Sequence, residues 1–85
     1  DGHFHVGISV DPNDSAEVEA AEELGRRLVD DALARGGTCS GEHGIGLGKI
    51  DALEQEHADL VPLYREIKAL FDPNGIMNPG KLVRV

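Results

Sequence analysis

Thr38-Cys39-Ser40-Gly41-Glu42-His43-Gly44-Ile45-Gly46-Leu47-Gly48-Lys49 lies between two segments of helical character, and the chain is organised around it. From Gly41 to Lys49 it holds four glycines, one carboxylate, one imidazole and one ammonium. Glycine packs no side chain and loses more backbone freedom on folding than other residues, so this density points to sharp turns or close approach. Glu42 and His43 are the acid–base pair of the loop. A phosphate loop is excluded, because G-x-x-x-x-G-K-[ST] needs glycine where His43 stands and Ser or Thr where Ile50 stands. The dinucleotide fingerprint is excluded too, since the glycines run G-x-G-x-G.

Working outward, Thr38-Cys39-Ser40 is short, β-prone and bounded by glycines, which predicts a brief second strand. Cys39 lacks a cationic cluster beyond His43 to lower its pKa, so it reads as a small buried packing residue rather than a nucleophile. Before it, Asp14-x-x-Glu17 is a capping box, and a helix is expected from about Ser15 to Arg35. Val18, Ala21, Leu24, Leu28 and Ala32 form its apolar stripe. Glu22–Arg26, Glu23–Arg27 and Asp31–Arg35 are spaced for i,i+4 pairs, which makes Arg26 and Arg27 part of a solvated face. Gly36-Gly37 supplies the left-handed stop.

The segment His3-Phe4-His5-Val6-Gly7-Ile8-Ser9-Val10 alternates, with Phe4, Val6, Ile8 and Val10 on one face and His3 and His5 on the other. It reads as a half-buried first strand whose two imidazoles stand about 6–7 Å apart. Asp11-Pro12-Asn13-Asp14 then turns the chain. Beyond the glycine loop, Ile50 to His57 reads as a short helix with His57 as a solvated imidazole. Asp59 is the expected N-cap of a further helix that tolerates Pro62 in its first turn. Leu60, Leu63, Tyr64, Ile67 and Leu70 form its stripe. Asp72-Pro73-Asn74-Gly75 ends it in a turn. An irregular tail follows, and Leu82-Val83-Arg84-Val85 reads as a terminal strand or as docked coil.

The expected fold is thus α+β: strand, helix, short strand, helices, forming part of a larger sheet. The first strand spans about 25 Å and the helix about 30 Å, giving a right-handed β-α-β unit if the strands are parallel. A second strand this short would set Glu42 and His43 level with His5. From residue types alone, His5 and Glu42 are ligand types for a divalent metal and His43 is free for proton transfer, although His3 and His5 also suit a plain polar face.

Eighty-five residues allow one small domain at most, burying about 60–65% of the unfolded surface. The chain begins at Asp1, inside a motif, and reads as a fragment of a larger protein. A net charge of −8 argues against nucleic acid and anionic membranes as partners. No run approaches the roughly 18–20 apolar residues of a membrane span. With one cysteine there is no internal disulfide, which fits a reducing compartment.

Three separated motifs carry a resemblance: Asp1-Gly2-His3-Phe4-His5, then Gly37-Thr38-Cys39-Ser40-Gly41-Glu42-His43-Gly44-Ile45-Gly46, then Asp72-Pro73-Asn74-Gly75-Ile76-Met77-Asn78-Pro79-Gly80-Lys81. In this order they resemble the C-terminal part of the FAD-linked 2-hydroxy-acid dehydrogenases of the vanillyl-alcohol oxidase superfamily. That family includes the cytochrome-linked D-lactate dehydrogenases, the glycolate oxidase flavin subunit and D-2-hydroxyglutarate dehydrogenase. Val10-Asp11-Pro12 and the glycine loop look most like the D-lactate branch. The resemblance implies that residues 1–85 are the C-terminal half of a cap (substrate) domain, with residues 72–85 a tail returning towards the flavin.

The family's first motif is H-x-G-D-G-N-x-H, and its two histidines help to hold a divalent metal, zinc or manganese. His5 matches the second; the first would lie seven residues before it, ahead of Asp1. His3 stands at the substrate-contacting position, where the family usually carries Asn. Glu42 matches the acidic metal ligand and His43 the catalytic base. Asn78 and Lys81 match the terminal N-P-G-K on the flavin side. The implied activity is oxidation of a small D-2-hydroxy acid, D-lactate first and glycolate or D-2-hydroxyglutarate as alternatives, with FAD bound mainly by another domain. The isolated residues are not expected to be active. The implied compartment is cytoplasmic, or mitochondrial in a eukaryote. A non-catalytic interaction domain that keeps the same scaffold is the alternative from another class, and an independent metal-binding protein a third.

Overall fold

A computed structural model describes residues 2–84 and divides the chain into two compact units, Asp1–Thr38 and Cys39–Val85. The elements are helical: α1, Ser15–Ala34; α2, Ile50–Glu56; and α3, Val61–Phe71.

The first unit is built on α1. The Asp14 carboxylate accepts from the backbone N–H groups of Ala16 and Glu17, while its own N–H donates to the Asp11 carbonyl at 3.0 Å. Asp11 therefore takes the bond that the Glu17 arm of a capping box would otherwise make. At the other end the Gly36 N–H donates to Leu33 O and the Gly37 N–H to Ala32 O. This is a Schellman stop, with Gly36 at φ +80°. Glu23 gathers both Arg26 (2.8 Å) and Arg27 (3.4 Å), and Asp31 pairs with Arg35 at 3.0 Å. The half-buried face of α1 runs through Val18, Ala21, Gly25, Val29 and Ala32, while Leu24 and Leu28 of the expected stripe are exposed.

The second unit holds the core. Cys39, Ile50, Leu53, Val61 and Val83 are its buried apolar residues, with Asp72 buried among the polar ones. The turn from α2 into α3 is closed by the His57 carbonyl, which accepts from Leu60 N (2.9 Å) and Val61 N (3.1 Å). α3 accordingly starts after Leu60, without a side-chain cap, and not after the expected Asp59. The physical reason is that His57 already satisfies the first orphan N–H groups, and Pro62 has none to satisfy. The inward face of α3 is Val61, Tyr64 and Lys68, whereas Leu63, Ile67 and Leu70 point to solvent.

The expected α+β architecture is overturned: among the described residues none is in a strand. Each expected strand fails for its own reason. Residues 3–10 alternate in sequence but have no neighbouring strand, and Phe4 is 82% exposed. Alternation selects which side chains share a face, but inter-strand hydrogen bonds make the strand. At Thr38–Ser40, the Cys39 N–H donates to the Glu56 carboxylate, so it is withdrawn from any ladder. In the tail, Leu82 has φ +67° and the Val83 N–H folds back to Lys81 O at 2.7 Å. This is a γ-turn incompatible with an extended strand, and residues 82–84 are docked coil; Val85 lies outside the described residues. The expected β-α-β unit is not formed among the described residues.

Candidate functional site

The glycine loop is a succession of turns. Gly44 N–H donates to Gly41 O at 3.4 Å, and Lys49 N–H to Ile45 O at 3.3 Å. Gly44 and Gly46 hold φ +73° and +56°, the left-handed region in which a Cβ is strained. This explains two of the four glycines by conformation. The turn at Gly41–Gly44 presents Glu42 and His43 side by side, with His43 Nε2 3.4 Å from Glu42 Oε1. Both side chains are exposed. A carboxylate oxygen and an imidazole nitrogen so close together suit a divalent cation or a proton being transferred.

The loop is anchored at its start. Glu56, the last residue of α2, accepts from Cys39 N at 3.2 Å and from Cys39 Sγ at 3.1 Å. Burial, reinforced by the Glu56 carboxylate, pushes the Cys39 thiol up to about 11. The sulfur is thus a protonated donor at neutral pH and not a nucleophile, as its sequence context indicated. The far end of the loop runs directly into α2 through buried Ile50.

The tail is arranged around Asp72, whose role the sequence reading limited to a turn. Its carboxylate takes the Lys68 ammonium and the N–H groups of Ile76 and Met77, both at 3.0 Å. The Lys68 hydrogen bond, helped by those two N–H groups against the opposing effect of burial, holds the Asp72 carboxyl below its ordinary range. Lys68 also donates to Met77 O. The available signal was a lysine one helical turn before a D-P-N-G turn, which sets an ammonium over the helix end. Asn78, at φ +45°, opens the next turn, in which the Lys81 N–H donates to Asn78 O at 3.2 Å. Pro79 and Gly80, the latter at φ +74°, fill its central positions as a type II turn requires.

Leu82 and Arg84 fasten this tail. Leu82 N–H donates to Gly46 O at 2.8 Å, joining the tail to the glycine loop. Arg84 reaches Asp51 and Glu54, neighbours one turn apart on α2, while Arg65 Nε donates to Arg84 O at 3.1 Å. Asp51 first, then Glu54, raises the Arg84 pKa above its ordinary value. The structure therefore brings Glu42 and His43 together within the second unit and ties their loop to the tail carrying Asn78 and Lys81.

His3 and His5 belong to the first unit, exposed, with ring centroids 5.2 Å apart and planes tilted by 40°. His57 packs edge-on to Tyr64 at 6.4 Å and lies 3.8 Å from Glu56, so it is half-buried rather than freely solvated. No helix among the described residues is long and apolar enough to cross a membrane.

Comparison with known proteins gives these features a family. The chain is 46% identical over 86 residues to a probable mitochondrial D-lactate dehydrogenase of Danio rerio, covering 100% of this chain and 17% of that protein. It is 45% identical over 84 residues to the mitochondrial D-lactate dehydrogenase [cytochrome] of Arabidopsis thaliana, covering 98% and 15%. It is 43% identical over 82 residues to the glycolate oxidase subunit GlcD of Escherichia coli K12, covering 95% and 16%. The chain thus spans a small part of the length of each relative. Residues 1–82 match the family described as FAD linked oxidases, C-terminal domain, and the chain belongs to that family.

Proposed function

We propose that this chain is the C-terminal segment of a longer FAD-dependent dehydrogenase that oxidises a small D-2-hydroxy acid, D-lactate first, to the 2-oxo acid. The observation that supports the reading is the exposed Glu42–His43 pair, set at 3.4 Å on a loop turned by Gly44 and Gly46 in the left-handed region. By their match to the family's motifs, Glu42 and His5 are ligands for a divalent metal, zinc or manganese. The donor set fits, since a carboxylate and an imidazole are ordinary ligands for such an ion. When bound, the metal would supply Lewis-acid polarisation of the substrate hydroxyl, and FAD would supply a hydride acceptor. The His43 imidazole takes the hydroxyl proton. His3 contacts substrate, and Asn78 and Lys81 face the flavin in the N-P-G-K turn. The compartment in this reading is cytoplasmic, or mitochondrial in a eukaryote.

The test uses the full-length flavoprotein. His43→Ala should lower turnover of D-lactate by about 10²–10⁴-fold, the usual contribution of a positioned general base, with flavin content unchanged. Full turnover in that variant would remove the mechanism. Side-by-side kcat/KM values for D-lactate, glycolate and D-2-hydroxyglutarate decide the substrate.

A further inference from the structure

We propose that Glu56 is a positioning residue for the loop carrying Glu42 and His43, acting through Cys39. The inference rests on the functional reading above. α2 holds both ends of this loop. Its first residue, Ile50, is 4% exposed and continues directly from Lys49. Its last residue, Glu56, turns its side chain back to the loop's beginning, where Cys39 is 8% exposed. The Glu56 side chain is itself only 12% exposed, and it binds the main chain and the side chain of the same residue at 3.2 and 3.1 Å. Two bonds to one residue fix its orientation as well as its position.

Glu42 follows Cys39 by three residues, at most about 10 Å of chain, and the Gly41 carbonyl in between accepts from Gly44 N–H, which closes the turn. A turn joined to its base by so short a run takes its aim from that base. When the Cys39 base is free to move, the Glu42–His43 pair shifts with it, and misplacement of reacting groups by about 1 Å costs up to about 10²-fold in rate. A residue that supports metal-ligating or catalytic groups in this way typically contributes about 10–100-fold.

The experiment compares Glu56→Leu, which fills the buried volume without an acceptor, with Glu56→Gln, which keeps one, in the full-length flavoprotein. The Cys39 thiol is followed by iodoacetamide labelling and peptide mass mapping, and turnover by kcat and KM with flavin absorbance. Glu56→Leu should label Cys39 on the order of tenfold faster and lower kcat by about 10–100-fold, with KM changed less and flavin retained. Glu56→Gln should restore both readouts to within a few fold of the parent. Unchanged labelling in Glu56→Leu overturns the proposal, as does unchanged kcat. The functional reading fails separately, by full turnover in His43→Ala, whereas Cys39 labelling reports on the Glu56 clasp whatever the reaction.

Discussion

The backbone N–H of Leu82 donates to the carbonyl of Gly46 across 2.8 Å, fastening the end of the chain to the middle of its glycine loop. Leu82 makes this bond from φ +67°, a conformation that costs a non-glycine residue about 1–2 kcal/mol. The neighbouring contacts hold it there: Val83 is buried, and Arg84 is clamped by Asp51 and Glu54.

Leu82→Pro removes the donor and forces φ to about −65°, so it abolishes both the bond and the turn. The expected result is faster hydrogen exchange at Lys49 N–H and through residues 44–49, since Gly46 O loses its partner. The loss in stability should be about 1–3 kcal/mol, the range for a broken hydrogen bond together with incompatible backbone. An exchange map unchanged over the loop would show that tail and loop are independent.

Asp72 gives a pH-dependent prediction. Its folded pKa is depressed, chiefly by the Lys68 hydrogen bond, so the contribution exists above the unfolded carboxylate pKa and is lost as pH falls through the folded one. Asp72→Ala should therefore lower the melting temperature at pH 7 by several degrees, and the gap from the parent should narrow as the pH falls below the ordinary carboxylate range. Lys68→Met should reproduce part of the loss. A gap that stays constant with pH would mean that the carboxylate acts by shape alone.

The end of α1 depends on two glycines for different reasons. Gly36 is needed for φ +80°, whereas a Cβ at Gly37 would stand 2.8 Å from the Ala32 carbonyl oxygen. Gly36→Ala should destabilise the chain by about 1 kcal/mol through strain. Gly37→Ala meets backbone that also accepts the Gly37 N–H, so relief breaks the Schellman bond and the loss should be at least as large. Urea midpoints of the two variants check the order, and a neutral Gly37→Ala would contradict it.

These features differ in how far the sequence foretold them. α1 was legible almost to the residue, because Asp14 and Gly36-Gly37 act through bonds to groups within five positions. The glycine loop and its Glu42–His43 pair were legible for the same reason. The strands were misread because alternation at residues 3–10 marks a shared face and says nothing about a partner. The clasps were hidden altogether. Cys39 and Glu56 are 17 residues apart, and Arg84 meets Glu54 across 30. Such separations leave no local pattern to read.

Glu42 and His57 separate the proposed site from its surroundings. Both belong to the second unit and both have an acid–base side-chain neighbour: Glu42 beside His43 at 3.4 Å, His57 beside Glu56 at 3.8 Å. If Glu42 is a metal ligand, Glu42→Ala in the full-length flavoprotein loses metal and activity together, by at least about 10–100-fold, while flavin absorbance stays at the parent level. Glu42→Gln should lose nearly as much, because a neutral amide is a poorer ligand than a carboxylate. His57→Ala removes an edge-on contact with Tyr64 and should change metal content little. Elemental analysis beside flavin absorbance measures both at once. Parent-level metal in Glu42→Ala would take Glu42 out of the ligand set and leave His43 with a neighbour of some other purpose.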